Sequence, residues 1–192
     1  SERGLYGDVV AELDWSVGEI LQILTDLDLE QNTLVIFMSD NGPFLSYGDH
    51  AGSAGSLREG KLTSFDGGVR TPCLMRWPAK IAAGTECNEP ACAIDLLPTI
   101  AKLTEAQRPD LKIDGLDISS LILGDASERS PHEAIFIYAG EELQAIRSGE
   151  WKLHFAHVYL TVAGEPGRGG KPANFNNLKP ASITQSGIQG IA

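Results

Sequence analysis

Apolar positions Val9, Val10, Leu13, Val17, Ile20, Leu21 and Leu24 recur at the spacing of one helix face, the stripe of an amphipathic helix. Asp8 stands where a capping carboxylate belongs, so the pattern predicts a helix over about residues 8–26. Thr33-Leu34-Val35-Ile36-Phe37-Met38 follows as an unbroken apolar run rich in β-branched side chains. Such a run suits a strand buried on both faces, as in a parallel sheet. Helix followed by buried strand is one step of an α/β fold.

Residues 42–70 lose this periodicity. Glycine recurs at 42, 48, 52, 55, 60, 67 and 68, and so long a loop within a compact domain is usually functional or disordered. Thr71 to Trp77 restores a strand pattern, stopped by Pro78. Asp95 heads a predicted helix through Leu96, Leu97, Ile100 and Leu103, with Pro98 tolerated in its first turn. After Pro131 three short strands are predicted, Ala134–Tyr138, Leu143–Arg147 and Trp151–Tyr159, with Ala139-Gly140 and Ser148-Gly149 as turns. Strands spaced this closely, without helices between them, pair antiparallel. The expected organisation is therefore an α/β core over residues 1–128, a small antiparallel α+β subdomain over 129–163, and a polar, irregular tail over 164–192.

Composition narrows the partners. Hydrophobic residues make up 42% of the chain and charged residues 21%, values usual for a globular protein. No apolar run approaches the ~20 residues needed to cross a bilayer. A net charge of −11 argues against a nucleic-acid partner, which needs a basic surface. It leaves an anionic substrate open, because a local cation reverses the field inside a cleft. Cys73, Cys87 and Cys92 are too few for a disulfide scaffold. A Cys87–Cys92 bridge and free thiols both remain open.

The sharpest chemical feature is Ser39-Asp40-Asn41-Gly42, directly after the apolar strand. Ligands of open α/β sheets sit at the carboxyl ends of strands. A carboxylate and an amide oxygen suit a hard cation, Ca²⁺ first and Mg²⁺ as its rival. The plain alternative is a turn, which Asn-Gly favours by itself. Lys61, in Arg58-Glu59-Gly60-Lys61, offers a compact positive charge to a tetrahedral anion; an ordinary surface lysine is the alternative. His50 of the same loop could donate a hydrogen bond to an anion or act as an acid. Arg58 and Arg70 are further anion candidates, and Arg70 could equally pair with Asp66. His154 and His157 are read as structural, and Trp15, Trp77 and Trp151 as core or subdomain contacts. The sequence has no Gly-x-Ser-x-Gly elbow, no phosphate-binding P-loop, no His-Glu-x-x-His and no Cys-x-x-Cys.

Several of these segments, in this order, resemble the C-terminal portion of the sulfatase family, of the arylsulfatase A and N-acetylgalactosamine-6-sulfatase types. Gly4-Leu5-Tyr6-Gly7-Asp8 resembles the helix before the family's metal strand, and Leu34 to Gly42 the metal strand itself. Gly52 to Lys61 and Phe65 to Pro72 resemble its active-site loop, and Ala145 to Phe155 its C-terminal sheet. The resemblance implies an alkaline-phosphatase-like sheet with flanking helices. It implies a calcium-dependent hydrolase of sulfate esters, sulfated glycans among them, in a periplasmic, secreted or lysosomal setting. Asp40 and Asn41 would be metal ligands, Lys61 a catalytic, sulfate-binding lysine, and His50 a further substrate contact. The family's nucleophile is a formylglycine within Cys/Ser-x-Pro-x-Arg, a motif absent from these 192 residues and expected upstream. Leu62-Thr63-Ser64 departs from the Gly-Thr-Thr that usually follows the lysine. A phosphate or phosphonate ester hydrolase of the same superfamily and a non-catalytic sulfated-glycan-binding fragment are the competing expectations.

Overall fold

The computed structural model describes residues 1–124, 128–161, 171, 173 and 180–189. Helix α1 spans Gly4–Asp26, so Asp8 lies inside it and not at its cap. The helix closes where the Leu27 amide bonds to the Ile23 carbonyl and Asp28 turns left-handed at φ 56°. No residue of α1 is buried. In its apolar stripe Val9, Val10, Leu13 and Ile20 are exposed and Val17, Leu21 and Leu24 half-buried.

Strand β1 (Val35–Met38) pairs with β2 (Cys73–Arg76) in antiparallel register, Val35 opposite Arg76 and Met38 opposite Cys73. This corrects the parallel expectation. An apolar run reports burial and not direction. Here the chain returns through the 42–70 loop, with no crossover helix to carry it to a parallel start. Both strands are half-buried or exposed along their length.

The glycine-rich loop is ordered by close backbone contacts. It contains a 3₁₀ turn, Leu45–His50, broken at Gly48, and a one-turn helix α2, Asp66–Val69. Gly42 N–H donates to Gly68 O at 2.9 Å, Lys61 N–H to Pro43 O at 2.9 Å and Gly67 N–H to Arg58 O at 2.8 Å. A Cβ on Gly42 would stand 1.7 Å from Gly67 O, and one on Gly67 would stand 1.9 Å from Glu59 O. At these two positions glycine is required by the approach of one backbone to another.

A 3₁₀ turn, Ala93–Asp95, leads into α3 (Leu96–Leu103). The fully buried Thr99 accepts the Ile118 N–H at 3.0 Å and so fastens the entry to α4 (Ser119–Ile122) onto α3. Four strands then form an antiparallel sheet ordered β3-β4-β5-β8: Ile135–Ala139, Glu142–Ser148, Trp151–His154 and Gly187–Gln189. The expected strand over 151–159 is two strands. After β5 the chain turns at Phe155-Ala156, whose Phe155 N–H bonds to Gln144 O at 3.0 Å. β6 (His157–Leu160) then pairs with β7 (Pro180–Ile183) in a separate sheet. β7 and β8 correct the irregular tail for those two segments. Their partners lie tens of residues back in the chain, beyond any local pattern. Trp15 and Trp151, expected in the core or at subdomain contacts, are each 62% exposed. Trp77 donates its indole N–H to Gln31 O at 3.1 Å.

Candidate functional site

β1 delivers Asp40 and Asn41 to its carboxyl end. Past Met38 the ladder continues for one bond, Ser39 N–H to Pro72 O at 3.3 Å. The Ser39 hydroxyl then donates to Asn41 O at 2.8 Å and pins the turn. Asp40 is exposed and Asn41 half-buried. Among the described residues no hydrogen bond or ion pair engages either side chain. Both oxygens are available to an incoming cation.

Lys61 belongs to the same knot of backbone. Its N–H is held by Pro43 O, two positions after Asn41. The half-buried side chain directs Nζ over the Phe44 ring, 5.5 Å from its centroid. No carboxylate among the described residues neutralises it. Glu59 and Leu62 on either side adopt positive φ, 59° and 73°. A left-handed conformation costs a non-glycine residue roughly 1–2 kcal/mol. Leu62 therefore keeps the backbone path that glycine takes more easily, with its side chain 60% exposed. His50 ends the 3₁₀ turn and makes no hydrogen bond to Asp40, Asn41 or Lys61.

Of the two arginines read as anion candidates, Arg58 has another occupation, while the Arg70 side chain is exposed. Arg58 lies over the Phe65 ring at 4.0 Å and donates to the Tyr159 hydroxyl at 3.0 Å. Arg70 contributes its backbone N–H to Asp66 O at 2.8 Å, but the Asp66 carboxylate pairs with Lys152 and Arg147. The expected Arg70–Asp66 ion pair is corrected. Sequence proximity favoured it, but the sheet brings two cations from far along the chain.

Phe65 is 1% exposed, stacked on His154 with ring centroids 4.7 Å apart and edge-on to Tyr159 at 4.8 Å. His157 donates Nδ1–H to Phe155 O at 2.8 Å and shares a 3.3 Å hydrogen bond with the Ser64 hydroxyl. It has the satisfied structural role expected of it. His154, equally buried, has no partner for either ring nitrogen among the described residues. Burial, and secondarily the Lys152 ammonium, push its pKa down from 6.5 to about 4. Between these pH values the unfolded chain binds a proton that the folded protein refuses. Stability is then full above about pH 6.5 and falls as the pH drops toward 4. The expected loss is ~2 kcal/mol. Denaturant unfolding at pH 7 and pH 4.5 checks it: a His154→Phe variant, which has no group to titrate, should lose less than the parent. An equal loss in both proteins would remove His154 as the cause.

One cluster carried no local signal. Cys92, Asp95 and His132 bring a thiol, a carboxylate and an imidazole within 4.8 Å of one another, a candidate metal centre by composition. Its geometry is that of hydrogen bonding. His132 Nε2 lies 2.9 and 2.8 Å from the two Asp95 oxygens, which also accept Cys92 N–H at 2.7 Å and Leu116 N–H at 2.9 Å. The carboxylate is 0% exposed and saturated by protein donors. Burial, then the Asp95 charge, push the Cys92 thiol pKa up, away from the thiolate that binds metals. Asp95 stands at the N-cap of α3 as expected, but its carboxylate makes no capping bond to that helix and locks α3 to the chain entering β3. All three cysteines are free thiols.

Comparison with known proteins gives a consistent set. The sulfatase family model matches residues 1–106. Arylsulfatase A of Bos taurus is 45% identical over 160 residues, covering 81% of this chain and 31% of the relative. Steryl-sulfatase of Homo sapiens is 42% identical over 179 residues, covering 87% and 30%. The crystal structure of PsFucS1 sulfatase from Pseudoalteromonas sp. superposes with a TM-score of 0.75 at 26% identity, covering 96% of this chain and 34% of that one. The chain thus spans about a third of the length of the relatives it matches.

Proposed function

This chain belongs to the sulfatase family, and from that premise we propose that the full-length protein is a calcium-dependent sulfuric ester hydrolase whose metal and sulfate are held in part by Asp40, Asn41 and Lys61. The observation that carries the reading is the Lys61 N–H to Pro43 O bond at 2.9 Å. It ties the lysine's backbone to the turn that presents the two oxygen donors, so one rigid knot offers a cation site and an ammonium group together.

The donor set fits a hard cation: one carboxylate and one amide oxygen, neither occupied by a protein partner among the described residues. Calcium takes about 6–8 oxygens, so further ligands come from elsewhere in the protein, water and substrate. When bound, the ion supplies charge neutralisation at the sulfate oxygens. Lys61 holds a fixed positive charge where the ester oxygen becomes negative as the S–O bond breaks. His50, at the end of the same loop, is proposed as a secondary contact to the substrate. The formylglycine nucleophile is proposed to come from a part of the protein outside these residues. Within the chain, residues 1–128 are proposed as catalytic core and 129–163 as the antiparallel subdomain packed on it.

The metal assignment is tested by titrating calcium into the full-length protein calorimetrically. Asp40→Asn keeps the shape and an oxygen but removes the charge, and is expected to weaken calcium binding about 10–100-fold. Calcium affinity equal to that of the parent would take Asp40 out of the site.

A further inference from the structure

The lysine loop is braced from outside as well as by its own backbone bonds. Two of its residues carry positive φ at non-glycine positions, and conformations of that kind persist only where the surroundings over-determine them. The surroundings here are the C-terminal strands. Just before Lys61, the Glu59 carboxylate accepts the Thr161 hydroxyl at 3.0 Å on both oxygens. Just after it, the Asp66 carboxylate receives Lys152 Nζ at 2.5 Å and Arg147 Nη1 at 3.4 Å. Arg147 on β4 and Lys152 on β5 are direct cross-strand partners, so the sheet presents the two cations side by side. Lys152 is 6% exposed. Its desolvation is offset by the Asp66 carboxylate, and a buried cation of this kind requires its partner.

Building on the sulfate role of Lys61, we propose that Asp66 and Lys152 are positioning residues for the reaction. They clamp the end of the lysine loop after Lys61 to the β4–β5 hairpin, while the Glu59–Thr161 bonds hold the end before it to the segment following β6, and so set where the Lys61 ammonium stands relative to the sulfate. The small sheet then contributes to turnover without touching substrate. Three features support it: the strained backbone at Leu62, the ion pair of the buried Lys152 with Asp66, and, among the described residues, the absence of a carboxylate partner that would fix Lys61 directly.

A double-mutant cycle in the full-length protein tests this, with kcat for 4-nitrophenyl sulfate as the readout. In the parent background Asp66→Asn is expected to lower kcat about 10–100-fold, the scale of a sub-ångström to ångström misplacement of a charged group. In a Lys61→Ala background the same change is expected to lower kcat less than about threefold, because the group being positioned is gone. Arg147→Gln, which removes only the longer contact, gives a gentler variant should Asp66→Asn fold poorly; it should show a smaller but equally background-dependent loss. Equal losses in both backgrounds, or no loss in the parent, overturn the clamp. Lys61→Ala with unchanged kcat overturns the sulfate role itself, and the clamp with it. The cycle thus separates failure of the inference from failure of the reading beneath it.

Discussion

Lys61→Ala in the full-length protein is expected to lower kcat for 4-nitrophenyl sulfate by about 10²–10³-fold, the loss typical of removing one fixed donor from a developing negative charge. Three observations set the expectation. The Lys61 backbone is anchored to Pro43 O, the side chain leans on the Phe44 ring, and no acidic side chain among the described residues consumes its charge. An ammonium held this way costs little reorganisation when the leaving oxygen becomes negative. Because that charge grows toward the transition state, kcat should fall more than KM rises. Lys61→Arg should recover only part of the rate, since a planar guanidinium does not reproduce a compact point charge. Steady-state kinetics on the purified variants decide the matter, and a kcat within threefold of the parent would remove Lys61 from the reaction.

Gly42→Ala is expected to cost at least ~3 kcal/mol of stability, the upper range for a single substitution that overpacks a site. The added methyl would stand 1.7 Å from Gly67 O and 2.8 Å from Gly67 C, both backbone atoms with no side chain to swing aside. Relief means separating the strand tip from α2, which breaks the 2.9 Å Gly42–Gly68 bond and moves Asp40 and Asn41 away from the lysine loop. Calcium affinity should fall together with the unfolding midpoint. Gly18→Ala supplies the control: nothing lies within 4 Å of that position, and alanine in a helix interior is favoured by ~1 kcal/mol. If denaturant unfolding gave the same midpoint for Gly42→Ala as for the parent, the close packing of strand tip against loop would be wrong.

The Cys92–Asp95–His132 cluster shows why composition alone does not make a metal centre. Three ligand-type side chains converge there, yet each Asp95 oxygen already accepts donors from protein at 2.7–2.9 Å. Asp40 and Asn41, proposed as metal ligands, present the opposite case: fewer donor groups, but oxygens that no protein donor occupies among the described residues.

The local pattern of side chains determined the elements. Helical spacing of apolar residues marked α1, a β-branched run marked β1, and alternation with turn residues marked β3 and β4. It also placed Asp40, Asn41 and Lys61 in the segments that the fold draws together, because strand ends and glycine-dense loops announce themselves over a few residues. The antiparallel sense of β1 and β2, the choice of Lys152 and Arg147 as partners of Asp66, the meeting of His132 with Asp95 and the pairing of β5 with β8 were decided only in three dimensions. Each depends on contacts between residues tens of positions apart, whose free energy comes from burial and charge pairing in the assembled fold. A short-range pattern has no access to that energy.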